Sequence, residues 1–224
     1  MNNMSSIAEN IRSVKSELPE STALIAVSKT KPAEAIQEAY AAGQRAFGEN
    51  KVQEMAEKAE MLPKDIEWHL IGHLQTNKVK YIAPFVHLIH SVDSLKLLEE
   101  VNKQAAKNNR VINCLLQMHI AEEETKFGMD FNEAEELLQS REFIEMQNVS
   151  VTGLMGMASF TENKEQVANE FRNLHNIFSI LKSHYFKFNP EFKEISMGMS
   201  GDYKIAIEEG STMIRVGSSI FGGR

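Results

Sequence analysis

Short apolar runs alternate with amphipathic stretches of helical period along the chain, and no linker interrupts the alternation. The runs at 23–28, 45–47, 66–71, 86–90, 111–120, 149–155, 194–197 and 213–216 read as strands, with 111–120 the longest. Helical patterns occupy 32–42, the charged stretch ending at Leu62, about 74–83, 93–108, a segment starting at Asp130, 162–185 and about 202–209. Punctuation supports these bounds: Pro32 opens a helix, Gly43 closes it, Asp93 or Ser94 can cap another, and Pro84 stops a third. Strands alternating with helices imply right-handed crossovers and a parallel sheet. About eight such units in 224 residues predict a closed barrel over an open doubly wound sheet. No Gly-x-Gly-x-x-Gly follows the first strand, which counts against dinucleotide binding. The expectation is an α/β chain forming one (β/α)8 TIM-type barrel domain over 1–224. An extra helix at about 5–17 carries Ile7, Ile11 and Val14 on one stripe.

Composition narrows the function classes. The 24 basic and 31 acidic residues leave a net charge of -7, unlike the basic face that nucleic acid requires, though a local pocket for one phosphate remains compatible. The single cysteine, Cys114, lies in an apolar strand and reads as a buried structural thiol. The N-terminal segment mixes charges and lacks the apolar core of a secretory signal, and no run approaches membrane-spanning length, so a cytoplasmic protein is expected.

A barrel of this kind binds ligands where its strands end. Those ends hold Lys29, then Gly48-Glu49-Asn50, Gly72-His73, Ser91, Gln117-Met118, Met155-Gly156, Ser196 to Gly201, and Arg215 to Ser218. A lysine at a strand mouth can form a Schiff base with an aldehyde, although most lysines at such turns are simply solvated. Ser196-Met197-Gly198-Met199-Ser200-Gly201 and Gly217-Ser218-Ser219 are small-residue turns whose N–H groups and hydroxyls suit an anion, at the two loops where barrel enzymes recurrently hold phosphate. Arg215, inside Met213-Ile214-Arg215-Val216, either faces a ligand or pairs with a carboxylate. His87 and His90 are three apart on a strand and so on opposite faces, and His69 and His73 fit core or pocket. No metal centre is expected. Glu122-Glu123-Glu124 reads as a solvated loop, and the Met-Gly-Met pairs as pliable packing.

At these positions the chain resembles the pyridoxal phosphate homeostasis protein family, whose barrel is like the N-terminal domain of alanine racemase. The matching segments are Ala26-Val27-Ser28-Lys29-Thr30-Lys31-Pro32, Phe47-Gly48-Glu49-Asn50, Trp68-His69-Leu70-Ile71-Gly72-His73-Leu74-Gln75-Thr76-Asn77-Lys78, Gly153-Leu154-Met155, Ser196-Met197-Gly198-Met199-Ser200 and Ile214-Arg215-Val216-Gly217-Ser218-Ser219-Ile220-Phe221-Gly222. The resemblance implies the fold type III barrel with pyridoxal 5′-phosphate (PLP) held as a Schiff base on Lys29. It also implies a phosphate held by Ser200, Gly217 and Ser218 with Ser196 as a further ligand, Asn50 near the cofactor, and Arg215 facing the pyridine nitrogen. Ser218 stands where the family typically has threonine and keeps the hydroxyl; Leu70 replaces its usual Phe or Met.

An arginine opposite the pyridine nitrogen leaves that nitrogen unprotonated and the ring a weaker electron sink. Racemisation also needs an acid/base group opposite Lys29, which in alanine racemase is a tyrosine of another domain. The chain ends at Arg224, just past the eighth strand, and none of Tyr40, Tyr81, Tyr185 or Tyr203 is an evident substitute. The implied function is therefore intracellular PLP homeostasis, buffering or delivering the cofactor to apo PLP-dependent enzymes, without catalysis; with no coiled-coil repeat or long apolar surface helix in the sequence, a monomer is expected. The alternative is a low-activity racemase or other PLP enzyme, with Met118, Met155 and Tyr203 the positions to inspect for a base. A regulatory module contacting other proteins is a third class.

Overall fold

Strands apolar on both faces must be covered on both, and here they close on themselves beneath a sleeve of helices. The computed structural model describes residues 6–123 and 127–223. The strands β1 (Ala23–Val27), β2 (Ala46–Glu49), β3 (Glu67–Leu70), β4 (Leu88–Val92), β5 (Ile112–Gln117), β6 (Val149–Met155), β7 (Glu194–Met199) and β8 (Met213–Val216) form one parallel closed barrel in sequence order. At the seam, Ile25 of β1 lies opposite Arg215 of β8. The fold class is the expected one.

Around the barrel run α1 (Ile7–Ser16), α2 (Ala33–Ala41), α3 (Val52–Met61), α4 (Val79–Ile82), α5 (Leu95–Lys107), α6 (Phe131–Gln139), α7 (Arg141–Glu145), α8 (Lys164–Tyr185), α9 (Tyr203–Glu208) and α10 (Ser218–Phe221). Side-chain oxygens satisfy N–H groups that a helix start leaves open. Ser6 and Asp130 each form a reciprocal capping box with a glutamate three residues on, while Ser94 accepts from the Leu97 N–H and Asn163 from the Gln166 N–H.

Apolar residues form two shells. The larger lies between helices and sheet and includes Phe47, Trp68, Leu70, Ile89, Leu116, Phe171 and Phe192. A small inner cluster, Leu88, Leu115 and Met155 with Met157 and Met213 against it, fills part of the barrel. Buried polar groups, among them His69, His90, Gln117, Ser196 and Arg215, accompany it. Gly153 lets β6 and β7 approach, because a Cβ there would come within 1.8 Å of the Glu194 carbonyl oxygen.

Several boundaries differ from expectation. The helix expected at 74–83 is a 3-10 turn, Thr76–Lys78, followed by the single turn α4. Gln75 is extended and lends no side-chain cap, and Pro84 restricts the far end. The longest strand is β6, with 7 residues, against 6 for β5. Beyond Gln117 the Met118 N–H still donates to Met155 of β6 at 2.8 Å, but Met118 also bridges Met129, and the His119 N–H donates to the Met129 carbonyl at 2.9 Å. The short helices α7 and α10 were not anticipated. In the acidic run, Glu123 is not merely solvated: its carboxylate accepts from the Phe160 N–H at 2.7 Å. Glu124 of that run lies outside the described residues, as do Ser5 of the first helix and Arg224. Among the described residues no helix is long and apolar enough to cross a membrane.

Candidate functional site

The C-terminal ends of the strands surround a cavity of about 600 Å³, within the size range of small-molecule sites. Lys29, Asn50, Ser200, Arg215, Gly217 and Ser218 all line it. Ser196 does not. It lies deeper in β7, fully buried, where its Oγ accepts from Arg215 Nη1 at 2.5 Å and shares a hydrogen bond with His90 Nδ1 at 2.8 Å. Its geometry is that of a floor residue orienting Arg215, away from the cavity wall.

Lys29 follows Ser28, the residue that leaves β1, and is half-buried. Both of its neighbours are fixed. The Ser28 carbonyl accepts from the Lys31 N–H at 3.0 Å and from Lys58 Nζ at 2.8 Å. The Ser28 hydroxyl donates to Glu49 Oε1 at 2.7 Å. On the other side, the Thr30 N–H donates to Glu54 Oε1 at 2.6 Å. Thr30 has φ +63°, a left-handed conformation that costs a non-glycine residue about 1–3 kcal/mol. Lys58 joins the two halves, donating to Glu49 Oε1 at 2.6 Å and Glu54 Oε1 at 2.7 Å. Burial pushes the Glu49 carboxyl above its ordinary pKa, against the pull of Lys58 and Ser28. Glu54, where bonds from Lys58 and Thr30 oppose a desolvation cost, is held below its own.

Beside β1, whose barrel neighbour is β8, the turns after β7 and β8 meet: the Gly217 N–H donates to Ser200 Oγ at 3.2 Å. Lys31 Nζ donates to the carbonyls of Phe221, Gly222 and Gly223 at 3.2, 3.2 and 2.9 Å, which fastens the segment after α10 to the same rim. Asn50 is pressed into place by Gly72, since a Cβ at Gly72 would come within 2.3 Å of the Asn50 carbonyl oxygen. The buried Asn50 Oδ1 has no hydrogen-bond partner among the described residues. Val27, Ile71, Met157 and Met199 provide apolar wall, and His73, stacked on Phe127 at 4.6 Å, adds an imidazole.

Arg215 forms the floor. Besides Ser196 it donates to the Gly156 carbonyl at 3.2 Å, and the charge of the Asp202 carboxylate acts on it. Of the two readings of a strand arginine, the ligand-facing one fits its place on the cavity lining. Burial lowers its pKa to about 10, which still leaves it protonated at neutral pH. Below it the polar line continues from Ser196 to His90, and His90 Nε2 meets His69 Nδ1 at 2.9 Å.

Burial holds both imidazoles neutral: His69 is lowered to about 3, and His90 falls well below the usual histidine value. Since the folded values lie below the unfolded one of about 6.5, the unfolded chain binds the extra protons on acidification. The stability involved is whole above about pH 6.5 and is lost progressively as pH falls. From pH 7 to 5.5 two such groups remove about 2.5 kcal/mol. Urea unfolding in the presence of a chelator should show this loss with an unchanged slope; equal midpoints at the two pH values would contradict neutral buried imidazoles.

A barrel with a lysine, an arginine floor and two small-residue turns at one mouth defines a class: residues 3–224 match the family model described as alanine racemase, N-terminal domain. The chain is 44% identical to the pyridoxal phosphate homeostasis protein of Aquifex aeolicus, over 90% of this chain and 86% of that one. It is 36% identical to the protein of that name from Escherichia coli K12, over 99% and 98%. PipY of Synechococcus elongatus PCC7942, solved with PLP bound, superposes with a TM-score of 0.88 at 39% identity, covering 97% of this chain and 100% of that one. Alanine racemase from Bartonella henselae shares the barrel alone, with a TM-score of 0.73 at 16% identity over 97% of this chain and 58% of the racemase. The chain belongs to the alanine racemase N-terminal domain family and, within it, to the pyridoxal phosphate homeostasis proteins.

The sequence did not reveal the Ser28, Glu49, Glu54 and Lys58 lattice or the His69 to Arg215 line. One signal for the lattice was present: Glu49 stands in an apolar strand context, and a buried carboxylate requires a cation.

Proposed function

We propose that this chain binds pyridoxal 5′-phosphate as a Schiff base on Lys29 and acts as a holder and donor of the cofactor, without turning over a substrate. The residues present fit the group. Lys29 Nζ supplies the amine that bonds the aldehyde carbon with loss of water. Ser200, Gly217 and Ser218 offer hydroxyl and N–H donors for the phosphate. Asn50 brings an unpartnered carboxamide oxygen, and Arg215 a guanidinium for the ring nitrogen.

Bound PLP supplies an electron sink for carbanions, and the protein restrains that chemistry. Arg215 stays protonated at neutral pH, so it hydrogen-bonds the ring nitrogen without transferring a proton to it. The observation that carries the non-catalytic reading is the placement of the tyrosines, none of which lines the cavity. Tyr203 donates to Glu17 at 2.6 Å, Tyr40 bonds Asp65 at 2.8 Å, Tyr185 donates to Glu135 at 2.9 Å, and Tyr81 is exposed. Met118 and Met155, the other positions for an opposing base, are buried and carry no proton. Holding the aldehyde in this cavity limits its reaction with other amines, and delivery to apo PLP-dependent enzymes follows from a reversible imine. We assign the working unit as a cytoplasmic monomer.

Holo-protein incubated with D- or L-amino acids should leave their chirality unchanged over many cofactor equivalents, while an apo PLP enzyme mixed with it regains activity. Sustained racemisation or transamination would overturn this reading. His73, the imidazole on the cavity wall, would then be the first residue to replace.

A further inference from the structure

The barrel's opposite end holds a cluster of different chemistry. Glu67 and His69 are alternate residues of β3, so they share a face. Their neighbours Trp68 and Leu70 pack outward into the shell under the helices, which places Glu67 and His69 on the interior face at the N-terminal mouth. His87 immediately precedes β4, the next strand, and its ring lies 5.3 Å from that of His69. Each of the three side chains presents one nitrogen or carboxylate oxygen, and these atoms lie within 4.8 Å of one another.

His69 makes this more than a chance gathering. Its Nδ1 is committed to His90. Its Nε2 is buried and has no hydrogen-bond partner among the described residues. Two proton orders are consistent with the line from Ser196 to His69. If protons point toward His69, its Nε2 carries a buried N–H with no acceptor, a costly state. If they point away, Nδ1–H donates to His90, His90 donates to Ser196, and Nε2 has a bare lone pair. The second order is how a metal-bound histidine is usually held, its other N–H fixed by an outer partner.

We propose that Glu67, His69 and His87 bind one divalent transition-metal ion, of which Zn²⁺ is the type, at the N-terminal mouth. Two imidazoles and a carboxylate are a common zinc donor set, with bonds of about 2.0–2.1 Å and a fourth position left for water. Donor atoms on such an ion sit roughly 3–4 Å apart. Only small rotations of Glu67 and His87, both exposed, are needed to reach that spacing. His69, fixed by His90, is the rigid member. The site is separate from the Lys29 cavity and does not depend on the cofactor reading.

The test is calorimetric titration of Zn²⁺ into tag-free, chelator-treated protein, with His87→Ala, Glu67→Gln and, as a control, His184→Ala on the exposed end of α8. The wild type and His184→Ala should bind one ion per chain at micromolar or tighter affinity. His87→Ala and Glu67→Gln should each weaken binding at least tenfold while keeping the wild-type melting temperature in chelator. On zinc addition, ¹⁵N NMR should show His69 Nε2 without its proton. If all four proteins bind alike, or the wild type shows only weak sites of undefined number, the assignment is wrong. Should one variant fail to fold, the other decides.

Discussion

Replacing Lys29 by alanine is expected to abolish the borohydride-trapped PLP adduct and the imine absorbance band, while PLP still binds at least tenfold more weakly. The residual affinity comes from the turns after β7 and β8. Ser200, Gly217 and Ser218 keep their donors, and hydrogen bonds to a charged group contribute about 1.5–3 kcal/mol each. Lys29→Arg separates charge from nucleophile. It keeps a cation at the rim but, with a guanidinium that stays protonated, should form no imine either. Because Lys29 is only half-buried and its neighbours are fixed through other groups, both variants should unfold within about 0.5 kcal/mol of wild type without cofactor. A Lys29→Ala protein that retains the imine band would place the cofactor elsewhere.

The largest stability effect is expected at Lys58. Its ammonium is the cation beside Glu49, whose carboxylate is fully buried, with Oε2 lacking a hydrogen-bond partner among the described residues. Lys58→Met leaves that carboxylate unpaired, and removing one partner of a buried pair costs about 3–5 kcal/mol. For a chain of this size that corresponds to a fall of roughly 10 °C in melting temperature. The double variant Lys58→Met with Glu49→Gln, which removes the stranded charge, should recover most of the loss. An exposed pair would cost no more than about 1 kcal/mol, so a smaller loss on urea unfolding contradicts the buried-pair account. The same substitution removes one of the two hydrogen bonds to the Ser28 carbonyl and one bond to Glu54, loosening both sides of Lys29. PLP binding by Lys58→Met should therefore weaken even at temperatures where the variant stays folded.

Much of the barrel was legible because its signals are local. Doubly covered strands read as apolar runs, and Pro32, Gly43, Ser94 and Asp130 mark helix ends through their own side chains or backbone preference. Given a barrel, the strand ends are where a ligand must sit, so Lys29, Asn50, Ser200 and the Gly217-Ser218 turn could be placed at one mouth from the sequence pattern. Ser196 shows where that logic stops. It precedes Ser200 by four residues, and at about 3.3 Å rise per residue that separates mouth from floor. A serine's identity carries no information about its depth. The His69, His90, Ser196 and Arg215 line needs side chains from β3, β4, β7 and β8, and only closure of the barrel brings these together. Lys58 was hidden for a related reason. It reads as one charge on a charged helix, and its burial depends on how α3 settles against the turn after β1.

Covalent attachment of PLP to Lys29 is the property on which the proposed function rests. The direct measurement is borohydride reduction of the PLP-loaded wild-type protein, followed by proteolysis and mass spectrometry of the modified peptide. A single pyridoxyl-phosphate mass addition, on Lys29 alone, is expected. An adduct located on Lys31, Lys51 or any other lysine, or no adduct at stoichiometric loading, would contradict it.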